Sequence, residues 1–165
     1  MKGKFPLALS VAILCFFSVW ICGLDAVAPY APTYAVFLFW ASWYCAGSGV
    51  PALKSSLLCN ICGSLWGFIG VMFLTPLFGF AGGLALPIAI FFVGGLMVLQ
   101  SYWPPLGFVP GCFIGCATFF AVANSALIGP KGMGAVLLAC VISAVVGNLL
   151  GIGSVMLADL LTKKE

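Results

Sequence analysis

The chain has 165 residues, of which six are lysine and three are acidic, with no arginine. Charged residues make up 5% of it, against about 25% in soluble domains, and hydrophobic residues make up 64%. This small number of ionisable side chains cannot cover the surface of a water-soluble domain. The composition therefore predicts an integral membrane protein. Nucleic-acid binding is not expected, because a net charge of +3 on scattered lysines forms no basic patch. The absence of histidine removes the commonest catalytic base and metal ligand.

The first apolar segment follows Lys2 and Lys4 and runs over Phe5–Leu24. One alternative is a secretory signal, because Ala26-x-Ala28 resembles a cleavage site. However, the apolar run is long enough to cross a bilayer, and no polar domain follows it. We therefore expect a retained first membrane span.

Hydropathy predicts six membrane-spanning helices. They are Phe5–Leu24, Thr33–Gly49, Ser55–Thr75, Ala81–Gln100, Phe108–Ser125 and Met133–Leu161. Proline and glycine mark the breaks between them. Helices are required because lipid offers no partner to a free backbone amide, and a barrel would need alternating apolar residues. The predicted fold is an all-α membrane protein, with residues 1–165 forming a single transmembrane domain.

The lysines predict the orientation of these spans. With the N-terminus in the cytoplasm, five of the six lysines are cytoplasmic and only Lys131 lies outside, together with the acidic Asp25. This distribution satisfies the positive-inside rule. We expect a multi-pass protein with both its N- and C-termini in the cytoplasm.

The two halves of the sequence align weakly with each other. Identical residues meet at an offset of 80, namely Phe39 with Phe119 and Gly67 with Gly147. This predicts a first repeat over about residues 1–78 and a second over about 79–165. Three spans per half is an odd number, so the second half would cross the membrane upside down. The expected architecture is a 3+3 inverted repeat with a solute path at the repeat interface.

Small residues spaced four apart predict close packing between helices. The helix-packing candidates are Gly63 and Gly67 in the third span, and Ser143, Gly147 and Gly151 in the sixth. The fifth span carries Gly111 and Gly115 at the same spacing. We therefore expect the third, fifth and sixth spans to be the inner helices.

Pro110-Gly111 predicts the start of the fifth helix, where a free amide end could face a polar solute. We expect a path between the second and fifth spans, with Thr118 and Asn124 supplying neutral hydrogen bonds. The candidate lining residues are Gly111, Gly115, Thr118, Asn124 and Tyr44, with Trp43, Phe113 and Phe119 as apolar constrictions. The alternative is that Thr118 and Asn124 bond to neighbouring helices.

Eight cysteines invite a redox or metal interpretation, above all Cys59-x-x-Cys62 and Cys112-x-x-x-Cys116. No histidine exists to lower a thiol pKa, and the third span places its pair on the reducing cytoplasmic side. We expect the cysteines to behave as small apolar residues. The sequence therefore predicts no metal, no cofactor and no catalytic residue.

The stretch Phe108–Phe119, with the sequence FVPGCFIGCATF, resembles a segment of the YcdZ-like family of small bacterial inner-membrane proteins. The segment Val50–Ser55 is similar to the family's connection between spans 2 and 3. Length and six-span layout also resemble that family, whose function is unknown. The resemblance implies a bacterial inner membrane and carries no known catalytic residue.

Three functions compete at this stage. A channel or facilitator for a small neutral or weakly polar solute (urea, ammonia, an amine or a short-chain acid) fits the inverted repeat. An ion-coupled pump usually carries a charged residue in the middle of a span, and none is visible here. The neutral polar residues inside the spans are Ser42, Asn60, Ser64, Gln100, Thr118, Asn124, Ser143 and Asn148. An enzyme is not expected, since only the cysteines could supply a titratable pair. The remaining alternative is an accessory or structural membrane subunit. We expect the lipid bilayer and a small-molecule solute as partners, and a homo-oligomer.

Overall fold

The structure, a computed structural model, describes residues 4–162. Every regular element in that range is helical, which confirms the predicted all-α class. Six main helices carry the fold: α1 (Lys4–Cys22), α2 (Thr33–Cys45), α3 (Gly49–Ile69), α4 (Ala85–Leu99), α5 (Val109–Ala123) and α6 (Met133–Thr162).

Four helical stretches of the described residues are long and apolar enough to cross a membrane. They are Phe5–Cys22, Gly49–Leu77, Gly79–Tyr102 and Met133–Thr162. These identify the chain as a membrane protein. The other two helices are short: α2 has 13 residues and α5 has 15. At 1.5 Å per residue they measure about 20 and 22 Å, less than the roughly 30 Å of the hydrocarbon core.

The connection between α2 and α3 is tighter than the sequence predicts. Helix α2 ends at Cys45, before the predicted Gly49, because φ is positive at Gly47 (100°), Ser48 (62°) and Gly49 (83°). Helix α3 then begins at Gly49, ahead of the predicted start. Pro51 lies in the first turn of α3 and does not break the helix, because its missing amide hydrogen has no partner to lose there.

Helix α3 continues past Ile69 through a widened π-helical turn, Gly70–Leu74, and a short helical turn, Thr75–Leu77. Pro76 explains the widening, because its ring would clash with the carbonyl one α-helical turn earlier. Thr75 Oγ1 donates a hydrogen bond to the Gly70 carbonyl oxygen at 2.8 Å. The whole apolar stretch therefore remains helical.

The short helix α5 lies along α3. Gly63 packs against the backbone of Cys112, and a Cβ added to Gly67 would lie 2.8 Å from Phe119 Cδ1. Close approach of this kind is what small residues allow between helices in lipid. Because the residue numbers rise together in the two contacts, α3 and α5 run in the same direction.

The short helix α2 lies along α6 in the same manner. Gly147 packs against the backbone of Val36 and Trp40, and a Cβ added to Gly151 would lie 2.6 Å from Trp43 Cδ2. The numbers again rise together, so α2 and α6 are parallel.

Helices α1 and α4 lie on the outside. Ser10 Oγ of α1 donates to the Ser154 carbonyl oxygen of α6 at 2.6 Å. Helix α4 instead packs on the π turn, where Val93 lies near Gly70. Both outer helices expose large apolar side chains, among them Phe16 and Phe91. These faces suit contact with lipid.

Candidate functional site

Thr118 and Asn124 both bond within their own helix. Thr118 is fully buried and its Oγ1 donates to the Ile114 carbonyl oxygen at 2.7 Å. Asn124 is exposed at the C-terminal end of α5, and its Nδ2 donates to the Phe120 carbonyl oxygen at 2.8 Å. The recorded hydrogen bonds of these two side chains therefore stay within α5.

The predicted constrictions lie in different environments. Phe119 is fully buried against Gly67, and Trp43 is 1% exposed, whereas Phe113 is 46% exposed on the outer face of α5. Tyr44 is half-buried, and its hydroxyl shares a 2.6 Å hydrogen bond with Ser154 Oγ. The structure thus does not bring Phe113 together with the two buried rings.

Gly111 and Gly115 face α3. A Cβ at Gly111 would lie 3.0 Å from Cys59 Cβ, and Gly115 lies against the backbone of Asn60. At Gly111 and Gly115, α5 therefore packs directly on α3.

The described charged side chains are all at the surface. Asp25, Lys54, Lys131 and Asp159 are exposed. The buried polar residues are neutral: they are serines, asparagines and one threonine. The interior in the described range therefore offers hydrogen bonds without fixed charge.

Ser42, Ser56 and Asn60 form a closed ring of hydrogen bonds between α2 and α3. Ser42 Oγ donates to Asn60 Oδ1 at 2.8 Å, Asn60 Nδ2 donates to Ser56 Oγ at 3.1 Å, and Ser56 Oγ donates to Ser42 Oγ at 3.1 Å. All three residues are fully buried. The ring satisfies its members mutually and links the two helices that flank the tight turn. Ser56 was absent from the sequence-based candidates, although its place one turn before Asn60 could have pointed to it.

A second set of buried polar residues lies on α2 and α6: Trp40 and Trp43 on α2, and Ser143 and Asn148 on α6. Four buried atoms of these residues have no hydrogen-bond partner: Trp40 Nε1, Trp43 Nε1, Ser143 Oγ and Asn148 Oδ1. Most buried polar groups in proteins are paired, so each exception requires an explanation.

A cleft of about 200 Å³ opens beside Trp43. It is lined by Trp43, Ser48, Gly49, Val50, Ile152, Val155 and Met156. Its walls are almost entirely apolar, and it lies where the tight turn between α2 and α3 meets α6. Of the four residues with unpaired buried atoms, Trp43 lines the cleft.

Ser48, at the rim of this cleft, has a strained backbone. Its φ of 62° and ψ of 167° lie in a region occupied almost only by glycine. Such a conformation costs about 1–3 kcal/mol and persists where the surrounding structure enforces it. Strain of this type clusters at functional sites, which draws attention to the same cleft.

The eight cysteines are free thiols. Gln100 connects two of them: its Oε1 accepts from Cys62 Sγ at 3.1 Å and from Trp66 Nε1 at 2.8 Å, and its Nε2 donates to Cys112 Sγ at 2.6 Å. Within residues 4–162, no group of three or more His, Cys, Asp or Glu side chains is arranged to hold a metal ion. The contacts around Gln100 join α3, the end of α4 and α5.

The helices and the neutral buried groups define a small multi-helix membrane protein of uncharged interior. The chain belongs to the family described as protein of unknown function DUF1097, whose family model matches residues 8–159. This confirms the expectation of a family without known function. No curated protein and no solved structure matches the chain.

Proposed function

We propose that the protein is a membrane channel or facilitator for a small neutral or weakly polar solute of the urea, ammonia, amine or short-chain acid class. The observation that carries this proposal is the pair of short helices, α2 and α5, each packed in parallel against a long helix. Short hydrophobic segments in corresponding positions of two halves point to a solute site in transporters built from inverted repeats.

The helix contacts support the 3+3 inverted repeat. Gly67 packs on Phe119, and Gly147 packs on Phe39. At the offset of 80, Gly67 corresponds to Gly147 and Phe39 to Phe119, so the two contacts are equivalent. Paired contacts of this kind arise when the short helix of each half packs on the long helix of the other half.

The neutral interior favours an uncharged solute. The charged side chains that the structure describes are exposed. A path lined by neutral dipoles is compatible with an uncharged polar molecule, whereas an ion would find no compensation for its lost hydration. We propose passive passage, since an ion-coupled pump uses ionisable groups inside the membrane.

Orientation and location belong to the same proposal. The lysine distribution supports cytoplasmic N- and C-termini. The resemblance to the YcdZ-like family supports a bacterial inner membrane, and the small size of the chain supports a homo-oligomer. Accessibility labelling of tags at both ends tests the topology. Termini on opposite faces of the membrane would contradict the inverted repeat.

Solute uptake by proteoliposomes tests the function and the predicted path between α2 and α5. We expect Thr118→Val combined with Asn124→Leu to reduce flux of the transported solute several-fold. Thr162→Val is a matched control, because Thr162 Oγ1 also bonds within its own helix, to the Ala158 carbonyl oxygen at 2.9 Å, but at the exposed end of α6. Unchanged flux in the double variant would reject this path. Absence of flux for every solute of the panel would instead favour an accessory or structural subunit.

A further inference from the structure

The cleft beside Trp43 has an apolar rim. Two of its lining residues, Val50 on α3 and Met156 on α6, are 66% and 62% exposed. In a membrane protein, an apolar rim of this kind is continuous with the surface that contacts hydrocarbon. The cleft volume of about 200 Å³ is smaller than the roughly 300 Å³ of an ordinary ligand pocket, so it suits a slender group such as part of an acyl chain.

The other half of the proposed repeat closes the corresponding turn. At the offset of 80, Ser48 corresponds to Ile128, and Gly49 corresponds to Gly129. Ile128 is fully buried in the hydrophobic core, whereas Ser48 is half-buried and its side chain makes no cap hydrogen bond. A large apolar side chain therefore fills the second turn, and a small polar side chain leaves the first turn open.

The cleft lies where three helices have their termini. Trp43 is in the last turn of α2, Val50 is in the first turn of α3, and Met156 is within two turns of the end of α6. Helix ends of a membrane protein meet the headgroup region of the bilayer. A lipid molecule in this cleft can therefore keep its headgroup among other headgroups while one chain enters the protein surface.

A lysine and an aspartate flank the cleft on opposite walls. Lys54 lies one helical turn after Val50 on the same face of α3, and Asp159 lies one turn after Val155 on the same face of α6. Both charged residues are exposed. The long lysine side chain can lie along the apolar surface and extend its ammonium group to the headgroup region. The cleft is thus bordered by one positive and one negative group.

This pair of charges selects a headgroup that carries both signs. A phosphoethanolamine headgroup has a phosphate for Lys54 and, a short linker away, a primary ammonium group for Asp159. Its N–H groups donate charge-assisted hydrogen bonds to a carboxylate. A phosphoglycerol headgroup brings no positive charge to Asp159, and the quaternary ammonium of phosphocholine has no N–H to donate. Phosphoethanolamine therefore matches the border of the cleft best.

We propose that the cleft beside Trp43 is a binding site for a phosphatidylethanolamine-type phospholipid. Lys54 binds the phosphate, Asp159 accepts hydrogen bonds from the ammonium group, and part of one acyl chain occupies the cleft between Val50 and Met156. The site goes beyond the proposed passage of a solute and does not depend on it.

Native mass spectrometry of the full-length protein, released from detergent micelles, tests the headgroup. The probes are dioleoyl lipids with phosphoethanolamine, phosphoglycerol or phosphocholine headgroups at equal concentration. We expect the phosphoethanolamine lipid to be retained about fivefold more than either of the others, which corresponds to one ion pair of about 1 kcal/mol. Equal retention of the three lipids, or a preference for phosphoglycerol, would overturn the proposal. Dimers that carry no lipid would overturn it in favour of a second copy of the chain over the cleft.

Charge variants locate the headgroup. Asp159→Asn should remove the preference for phosphoethanolamine over phosphoglycerol, and Lys54→Gln should weaken retention of all three lipids about fivefold. Asp25→Asn and Lys131→Gln are the matched controls. Both residues are exposed, and they precede the starts of α2 and α6, whereas the cleft lies near the ends of these helices. Equal effects of the control variants would overturn the proposal, because they would show a general response to charge.

A variant that fills the cleft locates the acyl chain. Val155→Phe places a larger side chain in the cleft and should weaken retention of all three lipids about fivefold. Leu149→Phe is the control, because Leu149 is 57% exposed on the same helix and does not line the cleft. Unchanged retention in folded Val155→Phe would overturn the proposal by placing the lipid elsewhere. The charge variants alter exposed side chains, so they still test the site if Val155→Phe does not fold.

Discussion

Replacing Gly147 by alanine should destabilise the protein by about 1–3 kcal/mol through overpacking. The new Cβ would lie 2.8 Å from Trp40 N and 2.9 Å from Phe39 Cβ, and it would overlap the Val36 carbonyl oxygen. Ordinary carbon contacts require about 3.5 Å, so α2 and α6 must separate by roughly 0.5–1 Å, which forfeits a quarter to a half of the dispersion energy at the contact. Two of the three neighbours are backbone atoms, which cannot rotate out of the way as a side chain can.

The control is Gly153→Ala in the same helix. There a Cβ would meet only Leu14 Cδ1, at 3.9 Å, which is an ordinary contact. Both variants gain the same helix propensity, about 0.5–1 kcal/mol, so the difference between them isolates the overpacking of Gly147. Unfolding in mixed micelles with increasing SDS measures the free energy of each variant. Equal stability of the two variants would refute the parallel packing of α2 on α6 described above.

Three further predictions concern other parts of the fold. Ser48→Gly should stabilise the protein by about 1 kcal/mol in the same assay, because glycine adopts the positive φ without strain. Ser48→Ala should give no such gain, and equal effects of the two variants would show that the turn is unstrained. Asn60→Leu should lower the free energy of unfolding by about 1–3 kcal/mol, because it leaves the Ser42 hydroxyl without its buried acceptor. The double variant with Ser42→Ala should recover part of this loss, and strictly additive effects would contradict a shared ring of hydrogen bonds. Replacing Cys59 and Cys62 together by alanine should leave solute flux near that of the unchanged protein, and a bound metal or a disulfide detected by mass spectrometry would contradict a structural role.

The helical class and the positions of the helices could be predicted from the sequence because lipid permits only helices over continuous apolar runs. The start of α5 at Val109–Pro110 follows from the proline rule, and α6 at Met133–Thr162 agrees with the predicted span to within one residue. What the sequence did not reveal is the length of α2. Its end depends on the backbone conformation of Ser48, a residue for which a positive φ is uncommon.

The faces of the helices could not be predicted in the same way. In a soluble protein, polar residues mark the outside, but in a membrane protein both the core and the lipid-facing surface are apolar. Phe113 and Phe119 therefore look alike in the sequence, although the first is 46% exposed and the second is fully buried. The polar ring was missed for a related reason: Ser42 and Ser56 meet only because α2 and α3 fold back on each other at the tight turn.

Osmotic re-swelling of vesicles tests most directly whether this protein conducts a small neutral solute, as we propose. Vesicles with and without the purified protein are mixed with hyperosmotic urea or acetamide, and their shrinking and re-swelling are followed by stopped-flow light scattering. We expect the protein to accelerate re-swelling well above the rate of empty vesicles, in proportion to the solute gradient and without dependence on a proton gradient. Re-swelling at the rate of empty vesicles for both solutes, or acceleration only when a proton or sodium gradient is imposed, would contradict it.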